Sequence, residues 1–203
     1  AYTLAHDAIA GWEVPEVPIA AMTQEERNAE AQRLMQEAGY GTGGEPLTLE
    51  IVYNTSDAHQ QLAVAIGQMW KQTLGIDTTL ANMEWQTFLD ARKNGDFELA
   101  RAGWCADYNE ASSFLDIMTS NSDANDSQYL NPEFDALMEQ SRTAEDPLPL
   151  YQQAEQMLAE DAPILPIYFY SSNFIMDDSI RGYAVENAQE NWYAKDMYRV
   201  AQE

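Results

Sequence analysis

Apolar residues recur along this chain at two periods, and the switching between them predicts most of its elements. Thr23 and Glu26 form a capping-box pair ahead of Ala31, Leu34, Met35 and Ala38, whose helical spacing predicts an amphipathic helix that Gly39 stops. Beyond a glycine-rich turn, Leu47, Leu49, Ile51 and Tyr53 alternate with Thr48, Glu50 and Val52, which is the period of a strand. Asn54, Thr55, Ser56 and Asp57 then offer N-caps for a long helix to Leu74, with Ala58, Leu62, Ala65, Ile66, Met69 and Thr73 on one stripe and Gly75 at its end. Ile76 to Met83 reads as a second strand, so residues 47–83 predict a β-α-β unit with parallel strands. A helix from Trp85 to Lys93, a turn at Asn94 and Gly95, and a strand from Phe97 to Trp104 extend the alternation. The fold class is α/β, a sheet flanked by helices.

The second half is less regular. No basic residue falls between Ala102 and Ser141, and the stretch NSDANDSQ at 121–128 predicts an exposed polar loop. Asn131 followed by Pro132 opens a helix, and another runs from Leu150 to Glu160 with Ala154, Met157 and Leu158 inward. The apolar run PILPIYFY at 163–170 is too short for a helix and predicts a buried strand. The tail carries Ile180, Tyr183, Trp192, Tyr193 and Tyr198 without a clean period.

Length and composition narrow the function. At 203 residues, with 45% hydrophobic and 11% aromatic residues, the chain has enough apolar surface for one ordinary domain or two small ones. Against 34 Asp and Glu stand 10 Lys and Arg, a net charge of −24 that disfavours nucleic acid and anionic lipid as partners. No apolar window is long enough to span a bilayer, and the first residues lack the basic and apolar regions of a signal peptide. The opening Ala fits a processed protein or a piece of a longer one. With 1 Cys and 2 His, neither a disulfide framework nor a His-rich metal site is expected.

Catalytic signatures are sparse. The GTGG stretch at 41–44 precedes a strand where a phosphate loop would follow one. Cys105, His59 and Asp107 are residue types that can form a thiol nucleophile, its base and its orienter, although a cysteine ending an apolar strand is more simply a packed thiol. The segment ARAGWCADYNE at 100–110 is the most suggestive. It runs off a strand's carboxyl end, where open α/β sheets take ligands. There Gly103 allows close backbone approach, Trp104 can wall a pocket, and Asp107 can receive an ammonium group. A core Trp and a turn-capping Asp are the alternative reading of the same residues.

That segment, with EWQTFLDARKNGDFELA before it and LTLEIVYNTSDAHQQLAVAIGQMWKQTLGI at 47–76, resembles the periplasmic oligopeptide-binding proteins of ABC peptide importers, solute-binding protein family 5. The similarity covers nearly the whole chain, is densest over 47–110, and is that of a C-terminal fragment of such a receptor. It implies a type II periplasmic binding protein-like lobe with a mixed sheet. Residues 1–170 would form most of that lobe, and 171–203 would cross to or pack on the other.

The implied function is substrate binding without catalysis or cofactor, by lobe closure around an extended peptide. The implied partners are an oligopeptide, the importer's membrane permease subunits and the remaining N-terminal part of the receptor. The implied place is periplasmic or extracytoplasmic. Residue by residue, the resemblance implies that Asp107 pairs with the peptide's α-ammonium and that Gly103 and Cys105 lie on the stretch bonding its main chain. His59, Arg92 and Arg101 would meet peptide carboxylates, Trp85 and Trp104 would wall pockets, and Tyr170 would lie near the ligand backbone. In relatives the counterpart of Cys105 is disulfide-bonded to an earlier cysteine that this sequence lacks, which leaves Cys105 a free thiol. Murein peptides, dipeptides or another small solute are the alternative ligands, and a cysteine hydrolase is a distant alternative. The charge suggests either a saline habitat or cationic peptides.

Overall fold

The computed structural model describes residues 1–41, 43–171, 173–183 and 192–201. The part of the tail at 184–191 and 202–203, and Thr42 of the GTGG stretch, lie outside the described residues. Two compact units share the chain. One, Glu16–Gly103 with Ser120–Leu130, holds the parallel sheet, and the other joins Ala1–Pro15, Trp104–Thr119 and Asn131–Glu203.

The sheet unit opens with a single helical turn, α1 (Pro18–Ala21), and then α2 (Gln24–Glu37), whose capping box between Thr23 and Glu26 is formed in full. Its apolar side chains are not buried as the periodicity predicts, and Leu34 is half exposed. Strand β1 (Thr48–Asn54), helix α3 (Asp57–Leu74) and strand β2 (Asp77–Met83) make the expected parallel crossover, paired from Thr48–Asp77 to Asn54–Met83. Ser56 caps α3, and Gly75, in the left-handed conformation at φ 75°, ends it. The inward stripe of α3 is rotated from the expected one. Ala63 and Gly67 are buried with Ile66 and Trp70 packed beside them, while Met69 is exposed. Trp70, a large aromatic, is among the side chains packed against the Ile51, Tyr53 and Ala63 cluster.

Helix α4 (Trp85–Asn94) leads to β3 (Leu99–Ala100), only two residues long where eight are expected, paired with Ile51 and Val52 of β1. The sheet order is β2-β1-β3, all parallel. As the central strand β1 is buried on both faces at Ile51, Val52 and Tyr53. The 121–128 loop is mostly half-buried instead of exposed, since Asn125 accepts from Ser127 and Tyr129 and donates to the Tyr129 carbonyl.

The other unit is helical. Short α5 (Ser112–Leu115) continues into a 3-10 turn at Asp116–Met118, and α6 (Pro132–Ser141) packs on α7 (Leu148–Asp161). Asn131 and Pro132 start α6 as read. Its core holds Leu115, Phe134, Met138, Ala154 and Leu158. The predicted strand at 163–170 is irregular, with Leu165, Ile167, Tyr168 and Tyr170 about half exposed. Pro163 and Pro166 lack the N–H a ladder needs. In the tail, β4 (Ile180–Arg181) and β5 (Tyr198–Arg199) pair antiparallel around a 3-10 turn at Ala194–Asp196. Tyr183 sits between the Phe174 and Trp192 rings, at 4.9 and 6.3 Å. Among the described residues no helix is long and apolar enough to cross a membrane.

Candidate functional site

In the sheet unit, strand order reverses at β1, so the crevice between the carboxyl ends of β1 and β3 is a topological switch point of the kind where α/β sheets take ligands. Beyond β1, the cap Ser56 places His59 in the first turn of α3. Beyond β3, the Arg101 N–H donates to the Val52 carbonyl at 2.9 Å, extending the ladder by one residue. Burial, and after it the charge of Arg101, hold the His59 imidazole below its usual pKa, so it is mainly neutral at pH 7. Arg101 therefore carries the permanent charge on this edge.

Beyond β2, the Glu84 carboxylate accepts the Gln86 N–H at 2.9 Å and starts α4 with Trp85, which is 50% exposed and 6.1 Å from the Phe88 ring. His59, Trp85 and Arg101 thus share the carboxyl edge of one sheet. Arg92 does not. In the last turn of α4 its guanidinium lies 5.6 Å over Phe88 and is ion-paired with Asp126, both side chains largely buried. Its charge is matched inside the unit, and it fastens the 120–130 loop to α4. Gly103 is exposed and ends this unit.

The remaining candidates belong to the helical unit. Trp104, 38% exposed, donates its indole N–H to the Ser113 carbonyl at 2.7 Å. The Asp107 N–H donates to Ser113 Oγ at 2.8 Å, and the Asp107 residue itself is exposed. Below them Ser112 donates to Glu110 at 3.1 Å, and Glu110 accepts the Tyr151 hydroxyl at 2.7 Å from α7. Burial, reinforced by the Glu110 carboxylate, raises the Tyr151 pKa, so that hydroxyl stays a donor. Cys105 is a free, exposed thiol and not a packed one, because the chain has already left the sheet at Arg101. Trp104 likewise is not enclosed in a core. Tyr170, 59% exposed, lies with its ring 5.0 Å from that of Tyr168 and tilted 59° to it.

Two features escaped the sequence reading. Ser112 and Ser113 are buried supports of the 104–110 loop, and Glu155 is a buried carboxyl accepting the Leu4 and Ala5 N–H groups. Among the described residues no cluster of His, Cys, Asp and Glu is placed to hold a metal ion.

Residues 3–126 match the family described as Bacterial extracellular solute-binding proteins, family 5 Middle. The chain belongs to this family. Similar family 5 members include the periplasmic oligopeptide-binding protein OppA of Escherichia coli, 45% identical over 186 residues, 88% of this chain and 33% of that protein. The solved Escherichia coli murein tripeptide binding protein MppA superposes with a TM-score of 0.90 at 40% identity, over 100% of this chain and 40% of that one. Haemophilus influenzae OppA in complex with RPPGFSPFR gives 0.80 at 36% identity, over 93% of this chain and 37% of that one. The chain thus spans about a third of the length of the curated relative, and it shares the family's α/β fold.

Proposed function

We propose that this chain supplies part of the substrate-binding component of an ABC importer, outside the cytoplasmic membrane, and that its ligand is an oligopeptide held by main-chain hydrogen bonds and terminal charges. The observation that carries the reading is Asp107. It is an exposed carboxylate on a loop fastened from beneath by Ser113, in a chain similar to proteins named for peptide binding. An ammonium and a main chain are common to every peptide, so affinity spent on them tolerates many sequences. Within the sheet unit, Arg101 and His59 at the switch point suit a carboxylate and Trp85 offers an exposed aromatic face; within the helical unit, Trp104 and Tyr170 offer exposed aromatic faces of their own. Cys105 and Gly103 contribute backbone to the same stretch.

Residues 1–170 belong, in this reading, to one lobe. The 171–203 segment, with Phe174, Ile175, Trp192 and Tyr198 exposed, meets the remaining N-terminal part of the receptor. Lobe closure presents the loaded receptor to permease subunits, and the chain binds and releases without catalysing a reaction. A murein peptide is the second reading, favoured by the 0.90 superposition on the murein tripeptide binder. Native purification of the intact receptor followed by mass spectrometry of what it releases tests both. Mixed peptides with free amino ends are expected, murein peptides alone would select the second reading, and a non-peptide solute would contradict both.

A further inference from the structure

We propose that Ser113 is the positioning residue of the ammonium site, holding Asp107 and Trp104 in one geometry before ligand arrives; this rests on the reading that Asp107 receives the peptide's α-ammonium. Ser113 is only 4% exposed, yet both of its polar oxygens face the 104–107 segment. Its hydroxyl oxygen accepts the Asp107 N–H at 2.8 Å, and its carbonyl accepts the Trp104 indole N–H at 2.7 Å. One buried residue thus fixes the backbone beneath the carboxylate and the aromatic plane three residues before it.

Ser113 is itself held. Its N–H donates to the Glu110 carbonyl at 3.1 Å, and its helix α5 buries Leu115 completely. Its neighbour Ser112 reaches Glu110 and Tyr108, and Glu110 takes the Tyr151 hydroxyl, so α7 anchors the same platform. A surface loop with no such support would sample many backbone states, and ordering it on binding would subtract from affinity. The arrangement matters most for ligand groups that interact with Asp107, and least for those that do not.

That asymmetry separates positioning from plain structural support. The test measures binding of a free-amine peptide and its N-acetylated counterpart to the intact receptor by calorimetry, for wild type, Ser113→Ala, Ser113→Thr and Asp107→Ala. The wild type is expected to prefer the free amine, Asp107→Ala to abolish that preference, and Ser113→Ala to narrow it ~tenfold, as the loss of one hydrogen bond allows. Ser113→Thr, which keeps the hydroxyl, restores it, and hydrogen exchange at the Asp107 amide rises in Ser113→Ala alone. If Ser113→Ala does not fold, the near-isosteric Ser113→Cys is read the same way. An undiminished preference in the Ser113 variant, or equal losses for both peptides, overturns the proposal while leaving Asp107 in place. A wild type that does not distinguish the two peptides overturns the Asp107 reading itself.

Discussion

At Glu155 burial and hydrogen bonding pull one carboxyl in opposite directions. Desolvation raises its pKa, the Leu4 and Ala5 N–H bonds lower it, and burial wins, leaving it at about 7 against an ordinary 4.5. The folded state therefore favours the protonated group. That contribution is whole below pH 4.5 and is lost as pH rises through about 7, a difference of ~3 kcal/mol. Glu155→Gln cannot ionise, so urea unfolding across this range should show the variant gaining on wild type as pH rises. A pH-independent difference between them would contradict the assignment. Neither Glu155 nor Ser113 was legible in the sequence. A glutamate on an amphipathic helix and a serine in SSFL have the composition of surface, and only the partners brought from Leu4, Trp104 and Asp107 make them interior. Asp107 was singled out by its place in the ARAGWCADYNE segment, whose strand proved to end at Ala100. Arg92 looked equally available, but its neutralising partner Asp126 lies in a distant loop.

Among the elements, local signals were read well wherever the chain satisfies itself locally. The Thr23–Glu26 box, the Ser56 and Asn131 caps and the β-α-β crossover all form. Periodicity misled where tertiary packing chooses the face, as in the rotated stripe of α3, and where prolines deny a ladder, as at 163–170. The rotation of α3 also explains Gly67, which the stripe did not single out. A Cβ there would meet Thr78 Oγ1 at 2.3 Å, so the glycine sets how closely α3 lies on β2. Gly67→Ala gains helix propensity of ~1 kcal/mol but overpacks a stiff β-branched neighbour at ~1–3 kcal/mol, and thermal melts should show net destabilisation. In a Thr78→Ala background the same change should stabilise. The same sign in both backgrounds would show that Thr78 is not what limits the approach.

For the molecule as a whole, the family and α/β class were legible from the 47–110 stretch, and the division into two units was not. The helical unit is assembled from three separate stretches, and no local period says which distant segments meet. The net charge of −24 belongs to this scale, and if the proposed peptide receptor keeps it, the summed field would steer ligands before any contact forms. Capture of Lys-rich peptides by the intact receptor should be faster than that of acidic ones and should slow as salt shortens the Debye length. Stopped-flow rates indifferent to ionic strength would leave the charge without a part in ligand choice.

The proposed peptide binding turns on Asp107, and calorimetry on Asp107→Ala in the intact receptor addresses it directly. The affinity for a free-amine peptide should fall by roughly 2–5 kcal/mol, much of it from leaving an ammonium buried and unpaired. Unchanged affinity for that peptide would mean that the ammonium is held elsewhere.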